Sequence, residues 1–349
     1  MQKISFSKAI NLAFIHSMEE DQKVICMGLG VPDPKGVFGT TTDLQEIFGK
    51  ERVFDIPTSE NALTGVCVGL AINGYKPIIN HQRLDFALLS LDQIINNAAK
   101  IHYMFGGKLK CPLVIRMIVG RGWGQGPTHS QNLQQIFAGI PGLKVVIPGT
   151  PQDAYSLLRA SIQSPNPIIF LEHRWLHNSI GEVDFSVDNN ELYKQAIIGD
   201  GSDFLIMANS YMLPEAIRAK NAIEEKYEIN GVIINYRIYD IYSLSETIDI
   251  SKSIKNILIV DTANESLSIA HQIYYQISKL SEDVDLDILT MPDTPEPTSY
   301  FLTKNFYINA LDIIKKLENL LKEDLSLAKK EIVPSNHHDV PGEWFKGPF

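Results

Sequence analysis

The chain of 349 residues has little cysteine, no excess of positive charge and no long apolar run. Its three cysteines, Cys26, Cys67 and Cys111, form no C-x-x-C pair, and two of them lie in apolar runs. That argues against a disulfide framework and reads as buried, reduced thiols, which fits a reducing, cytoplasmic setting. The net charge of −10 argues against nucleic acid or an anionic membrane surface as the main partner. It leaves room for a small anionic ligand held by a few local cations. No apolar stretch approaches the roughly 20 residues of a membrane-spanning helix. Residues 5–18 (SFSKAINLAFIHSM) are amphipathic rather than signal-like, and no short repeat is visible.

What is present is ordinary globular material, 44% hydrophobic and 21% charged. At about 150 residues per domain the length suggests two domains. Helical patterns at 6–19, 43–48, 61–73, 86–105 and 153–164 alternate with short apolar runs at 23–27, 52–55, 77–80, 112–119, 144–147 and 167–171. The second half repeats the style, with strands at 203–208, 231–235 and 256–261 and helices at 214–226 and 267–280. Such alternation predicts mainly parallel sheets covered on both faces, an α/β fold of two doubly wound domains. The polar stretch 177–201 reads as a linker between domains at 1–176 and 202–327. The tail 328–349 carries Pro334, His337, His338, Pro341, Trp344, Pro348 and Phe349. It is too proline-rich for a regular helix and reads as a segment packed on the body or a partner.

The stretch that bears most on chemistry is RVFDIPTSENALTGVCVGLAINGYKPIINHQRLDFALLSLDQ, Arg52–Gln93. Glu60 stands at the start of an apolar, small-residue helix, where an acid is commonly only a cap or a dipole partner. Gly65 and Gly69, one turn apart, would admit another backbone. The wider context resembles the beta subunit of the E1 component of 2-oxoacid dehydrogenases, pyruvate and branched-chain type. The matching blocks are GVFGTTTDLQEIFGKERVFDIPTSE, GVCVGLAINGYKPI, DQIINNAAKIHYMFGG, GPTHSQ and PGLKVVIPGTPQDAYSLLRASI. They run in order from about Ile4 to Leu321.

The resemblance implies a transketolase-like pyrimidine-binding domain followed by a transketolase-like C-terminal α/β domain, with thiamine diphosphate as cofactor. Glu60 matches the glutamate that bonds the pyrimidine ring nitrogen and favours the imino tautomer that deprotonates the thiazolium. A buried site would favour its protonated form. Phe86 matches the aromatic that packs on the pyrimidine, and Leu29 falls in the segment after the first strand that borders the cofactor. His129, in the loop GRGWGQGPTHSQ (Gly120–Gln131), matches a family active-site histidine, a residue type suited to proton transfer near neutrality. Gly199-Asp200-Gly201 imitates the diphosphate and Mg²⁺ motif, but it precedes a strand of the second domain with no suitably placed asparagine pair after it, and reads as a loop. The resemblance therefore implies that an alpha-type subunit holds Mg²⁺ and the diphosphate in an α2β2 assembly. It also implies a K⁺ site on backbone carbonyls of Leu113, Ser161, Ser164 and Asn166, which leaves little sequence signature.

The chain departs from the family in several places. The acidic pair after the first strand is replaced by Gly28-Leu29-Gly30-Val31, and the second strand ends in Asn80-His81-Gln82-Arg83-Leu84-Asp85. Leu89 stands where some members have glutamine, and Asp261–Ser266 replaces a glycine-rich stretch. His81 and Arg83 could bring positive charge to an anionic substrate or be structural. The leading expectation is 2-oxoacid decarboxylation with acyl transfer to the lipoyl domain of an acyltransferase. The alternatives are a carboligase or split-transketolase subunit that transfers the unit to an aldehyde, ketone or sugar, and a non-catalytic scaffold.

Overall fold

The structure, a computed structural model, describes residues 1–121, 125–186, 191–239, 253–279 and 283–332. Among these, a first sheet holds β2 (Val24–Gly28), β3 (Val53–Phe54), β4 (Lys76–His81), β5 (Val114–Val119), β6 (Lys144–Val146), β7 (Ile168–His173) and β12 (Ile238–Tyr239). Their spatial order is β12-β6-β7-β5-β4-β2-β3, parallel throughout except for β12 against β6. A second sheet runs β14 (Asp285–Met291), β13 (Asn256–Asn264), β10 (Phe204–Ala208), β11 (Gly231–Asn235) and β9 (Ala196–Ile198), antiparallel only at β9. Strand β1 (Gln2–Ser5) pairs with β8 (Ile180–Val183) as a separate antiparallel ribbon.

The central strands β2, β5, β7, β10 and β11 are buried along their whole length, as parallel strands covered on both faces must be. Helices Phe6–Glu20 and Pro151–Gln163 pack together over one face of the first sheet. The second of these is stopped from fraying by a capping box between Thr150 and Asp153, with Pro151 at its first turn. On the other face Cys67, Ile79, Met117 and Phe137 belong to one apolar cluster. All three cysteines are buried free thiols, with burial pushing each up to about 12.

Two expectations are corrected, and one helix is added. The single helix read over 86–105 is broken into α-helix at Leu84–Ala87, a 3-10 turn at Leu88–Ser90, a π-helix at Gln93–Ala98 and α-helix at Ile101–Met104. Just beyond the π turn, Ala99 presses its carbonyl against Gly142, where no Cβ would fit. The second helix read at 267–280 is a 3-10 turn at Glu265–Leu267 followed by Ala270–Ser278. Helix Ala310–Leu321, with its own capping box at Asn309, was not read from the sequence.

The stretch 177–201 carries β8 and β9, which pair into different sheets, and β12 returns from the second half to the first sheet. Gly199-Asp200-Gly201 is the turn between β9 and β10, with Gly201 packed on the backbone of Asn230–Gly231. The tail from residue 333 onward lies outside the described residues. Among the described residues no helix is long and apolar enough to cross a membrane.

Candidate active site

In an open parallel sheet, ligands gather outside the carboxyl ends of the strands, where loops rather than ladders satisfy the backbone. Here the segments after β2 and β4 meet the start of helix Glu60–Ile72 there. They enclose a small cleft whose wall includes Leu29, Glu60, His81, Gln82 and Phe86. The loop after β2 depends on glycine. Gly30 has φ of +73° and donates its N–H to Asp55 Oδ1 at 3.0 Å. A Cβ on it would come 2.9 Å from Gln82 Nε2. That turn sets Leu29, 38% exposed, into the cleft wall.

Glu60 occupies the first turn of its helix behind Ser59, which makes no side-chain cap. The helix dipole favours a carboxylate there. The carboxyl is half-buried and forms no hydrogen bond or ion pair among the described residues. The sequence led us to expect a buried carboxyl; this chain alone leaves one side of it open. Phe86 lies across the cleft, and His129 meets it edge-on, with ring centroids 5.3 Å apart at 87°. His129 Nδ1 is 2.9 Å from Thr128 Oγ1. Residues 122–124 of its loop lie outside the described residues.

His81 ends β4 and is 4% exposed, and its Nε2 has no hydrogen-bond partner among the described residues. Burial pushes its pKa down to about 4, so the imidazole is neutral at pH 7. The expectation that it brings positive charge is corrected: it offers the cleft a neutral hydrogen-bonding group. Arg83 is the cation. It is buried, and although desolvation and the nearby Arg174 lower its pKa to about 10, it stays charged at neutral pH. It does not line the cleft but turns toward the loop after β5. There Nη1 donates to the Gly120 carbonyl at 2.7 Å and Nη2 donates to Gln125 Oε1.

The carbonyls expected to hold K⁺ meet at one corner. The Leu113 carbonyl accepts from Ile168 N–H at 2.9 Å, that of Ser161 from Ser164 N–H at 3.2 Å, and that of Asn166 from the Ser164 hydroxyl at 3.1 Å. This corner lies at the start of β5, opposite the strand ends that form the cleft.

Some residues near the cleft were not singled out from sequence. Asp85 accepts from Gln131 Nε2 at 2.7 Å, beside Phe86. Glu296 is buried near Asp85, and burial followed by that like charge raises its pKa. Thr298, from the same segment, presses on Gly126 of the His129 loop. Arg121 and Arg174 follow within two residues of β5 and β7 and are buried. Their one signal was position, a polar residue within two places of the end of a buried parallel strand.

Three buried histidines give the site a pH dependence. Burial lowers His81 and His177 to about 4 and His173 to about 3. Their unfolded values lie near 6.5. The unfolded chain therefore takes up protons that the folded chain refuses, and stability is lost as pH falls from about 6.5 toward 4. A tenfold difference in proton affinity between the two states is worth about 1.4 kcal/mol. We expect a flat melting temperature from pH 8 to 7 and a steep fall below 6.5, with an uptake of up to about three protons on unfolding near pH 5. Calorimetry across that range checks it; an unchanged melting temperature at pH 5 would contradict the buried neutral state of these rings.

A carboxyl at a helix start and an aromatic ring line one cleft at the ends of parallel strands in an α/β subunit. The family model described as the transketolase pyrimidine binding domain matches residues 2–178. The chain is 34% identical to the 2-oxoisovalerate dehydrogenase subunit beta of Bacillus subtilis, covering 88% of this chain and 96% of that one. It is 30% identical to the mitochondrial pyruvate dehydrogenase E1 component subunit beta of Saccharomyces cerevisiae, covering 90% and 88%. It is 33% identical to the acetoin:2,6-dichlorophenolindophenol oxidoreductase subunit beta of Cupriavidus necator, covering 92% and 98%. Among solved structures, a split-gene transketolase in an inactive beta4 tetramer superposes with a TM-score of 0.74 at 15% identity, over 91% of this chain and 98% of that one, a likeness of fold. The chain belongs to the family of E1-type beta subunits.

Proposed function

We propose that the chain supplies the aminopyrimidine half of a thiamine diphosphate site in an enzyme that decarboxylates a 2-oxoacid and transfers the acyl group. The observation that carries this is the cleft itself, where Glu60, Phe86, Leu29 and His81 line one space. The fit is chemical: a flat heteroaromatic ring with polar edges needs apolar walls for its faces and hydrogen-bonding groups at its rim. When bound, thiamine diphosphate supplies a carbon nucleophile for the 2-oxo group and an electron sink for loss of CO₂.

The residues of this chain do the rest. Glu60 holds a proton at the pyrimidine ring nitrogen. Phe86 and Leu29 exclude water from the ring faces. His129, over the outer edge of Phe86, gives or takes a proton at the substrate oxygen. His81 bonds as a neutral group at the rim.

Mg²⁺ and the diphosphate are assigned to an alpha-type subunit in an α2β2 assembly, and K⁺ to the carbonyls of Leu113, Ser161, Ser164 and Asn166. A lipoyl acyltransferase is the proposed acceptor partner, and the reduced cysteines support a cytoplasmic setting. The buried Arg83 favours a second reading, transfer to an aldehyde, ketone or sugar. Co-expression with the alpha-type subunit tests both. We expect 2-oxoacid consumption that requires both chains and thiamine diphosphate, and the dependence on a lipoyl or aldehyde acceptor decides between them. Absence of thiamine-dependent turnover with every acceptor would remove both readings.

A further inference from the structure

Strand β4 ends at His81, and the residues just beyond it reach across to the loop that carries His129. Arg83 donates Nη1 to the Gly120 carbonyl at 2.7 Å and Nη2 to Gln125 Oε1. Asp85 accepts from Gln131 Nε2 at 2.7 Å. Phe86 meets the His129 ring edge-on, with centroids 5.3 Å apart. Leu84, between the first two, is fully buried in the apolar cluster that also holds Ile79. One short segment thus grips the loop at both ends, and His129 lies between the grips at Gln125 and Gln131.

These contacts have the chemistry of positioning. A guanidinium presents its donors in a fixed fork, so bonds to two points of a loop set its orientation as well as its distance. Arg83 is 2% exposed and is itself held. Its guanidinium carbon lies 5.5 Å from the centroid of Phe38, and that of Arg174, which follows β7, lies 4.6 Å from the same ring. Asp85 is half-buried, and the only hydrogen bond of its carboxylate among the described residues comes from Gln131. A bond to an ionised acceptor is roughly twice as strong as one between neutral groups. The loop is also backed from the second half of the chain. Thr298 presses on Gly126, where φ is +69° and a Cβ would not fit, and Glu296 is buried near Asp85.

We propose that Asp85 is a positioning residue for His129: through Gln131 it holds the loop so that the imidazole stays against Phe86, beside the cleft that Phe86 lines. Arg83 fixes the opposite end of the same loop. The catalytic meaning of this rests on the thiamine reading above; the placement of the ring does not. Nδ1 of His129 is engaged by Thr128 Oγ1 at 2.9 Å, which leaves Nε2 as the nitrogen that meets substrate. Proton transfer needs that nitrogen within hydrogen-bond reach, and a misplacement of about 1 Å costs on the order of 100-fold in rate. Asp85 touches neither substrate nor cofactor, so its effect falls on the rate of the step and not on cofactor binding.

The test uses the complex of this chain with its alpha-type subunit. Asp85→Leu and Gln131→Met each remove one end of the same bond at nearly constant volume. We expect each to lower kcat for 2-oxoacid turnover by about 10- to 100-fold, with the KM for thiamine diphosphate unchanged. The double variant should be no worse than either single one, because both act through one contact. Asp85→Asn keeps an acceptor and should retain most of the activity. In parallel, magnetic resonance of the complex with isotope-labelled histidine follows the His129 ring, its signal assigned by the variant His129→Gln. The Phe86 ring displaces that signal in wild type, and Asp85→Leu and Gln131→Met should return it toward the position of a free imidazole. A merely structural bond would lower the melting temperature and leave kcat and the His129 signal in place; that result, or single losses that multiply in the double variant, overturns the proposal. If Asp85→Leu does not assemble, Gln131→Met carries both measurements. An inactive wild-type complex whose His129 signal still moves in Gln131→Met would remove the thiamine reading and leave the placement standing.

Discussion

Glu60→Gln is expected to lower thiamine-dependent turnover by about 10²–10⁴-fold, the range contributed by a positioned proton-transfer group. Fold and assembly should survive. The Glu60 carboxyl is half-buried and engages no described side chain, so the isosteric amide forfeits no internal bond. What the helix start loses is a favourable charge, about 0.3–1 kcal/mol. The two magnitudes separate a catalytic role from a cap: a cap would move the melting temperature slightly and leave turnover alone. The check is turnover of the complex with the alpha-type subunit, alongside size exclusion and thermal melting. Turnover like that of wild type would remove Glu60 from the centre of the proposed function.

Glu172→Gln is expected to destabilise the chain by about 3–5 kcal/mol, the usual consequence of removing one partner of a buried ion pair. Glu172 and Arg116 are 0% and 1% exposed at their side chains. Arg116 donates Nε and Nη2 to the two carboxylate oxygens, Nη2 also to Thr40 Oγ1 at 2.7 Å, and Nη1 to Asn80 Oδ1 at 2.9 Å. His177 Nε2 lies 3.1 Å from Glu172 Oε2. Desolvation would raise the Glu172 pKa, but Arg116 and His177 outweigh it and hold the group below its usual range. A depressed folded pKa means that this stabilisation is present at neutral pH and fades as acid titrates the carboxylate. The amide would leave Arg116 charged and unpaired inside the sheet. Chemical denaturation of the single variant, and of Arg116→Leu with Glu172→Leu together, measures it. The double apolar variant should recover much of the loss, because no charge is then stranded. A single variant as stable as wild type would contradict this account.

The α/β class was legible because it rests on local pattern. Fully apolar runs such as Val114–Val119 have few stable states other than buried parallel strand, and the helices Phe6–Glu20 and Pro151–Gln163 carry their signals in their own residues. Glu60 and Phe86 were found through resemblance, and the fold places both on one cleft. The break in 86–105 was not legible, because the residue that meets Ala99 there is Gly142, distant in the chain.

By itself, then, the sequence determined the α/β class, most of its strands and helices, and the carboxyl at the head of its helix, which depend on residues near one another in the chain, and the family, which depends on blocks in order along it. Only the tertiary structure decided which residues are charged and which share an edge. His81 is neutral because the packed interior around it excludes water. Arg83 and Arg174 share a ring because the sheet order β7-β5-β4 sets separate strand ends side by side. Burial and adjacency are properties of the folded whole, and no local pattern encodes them.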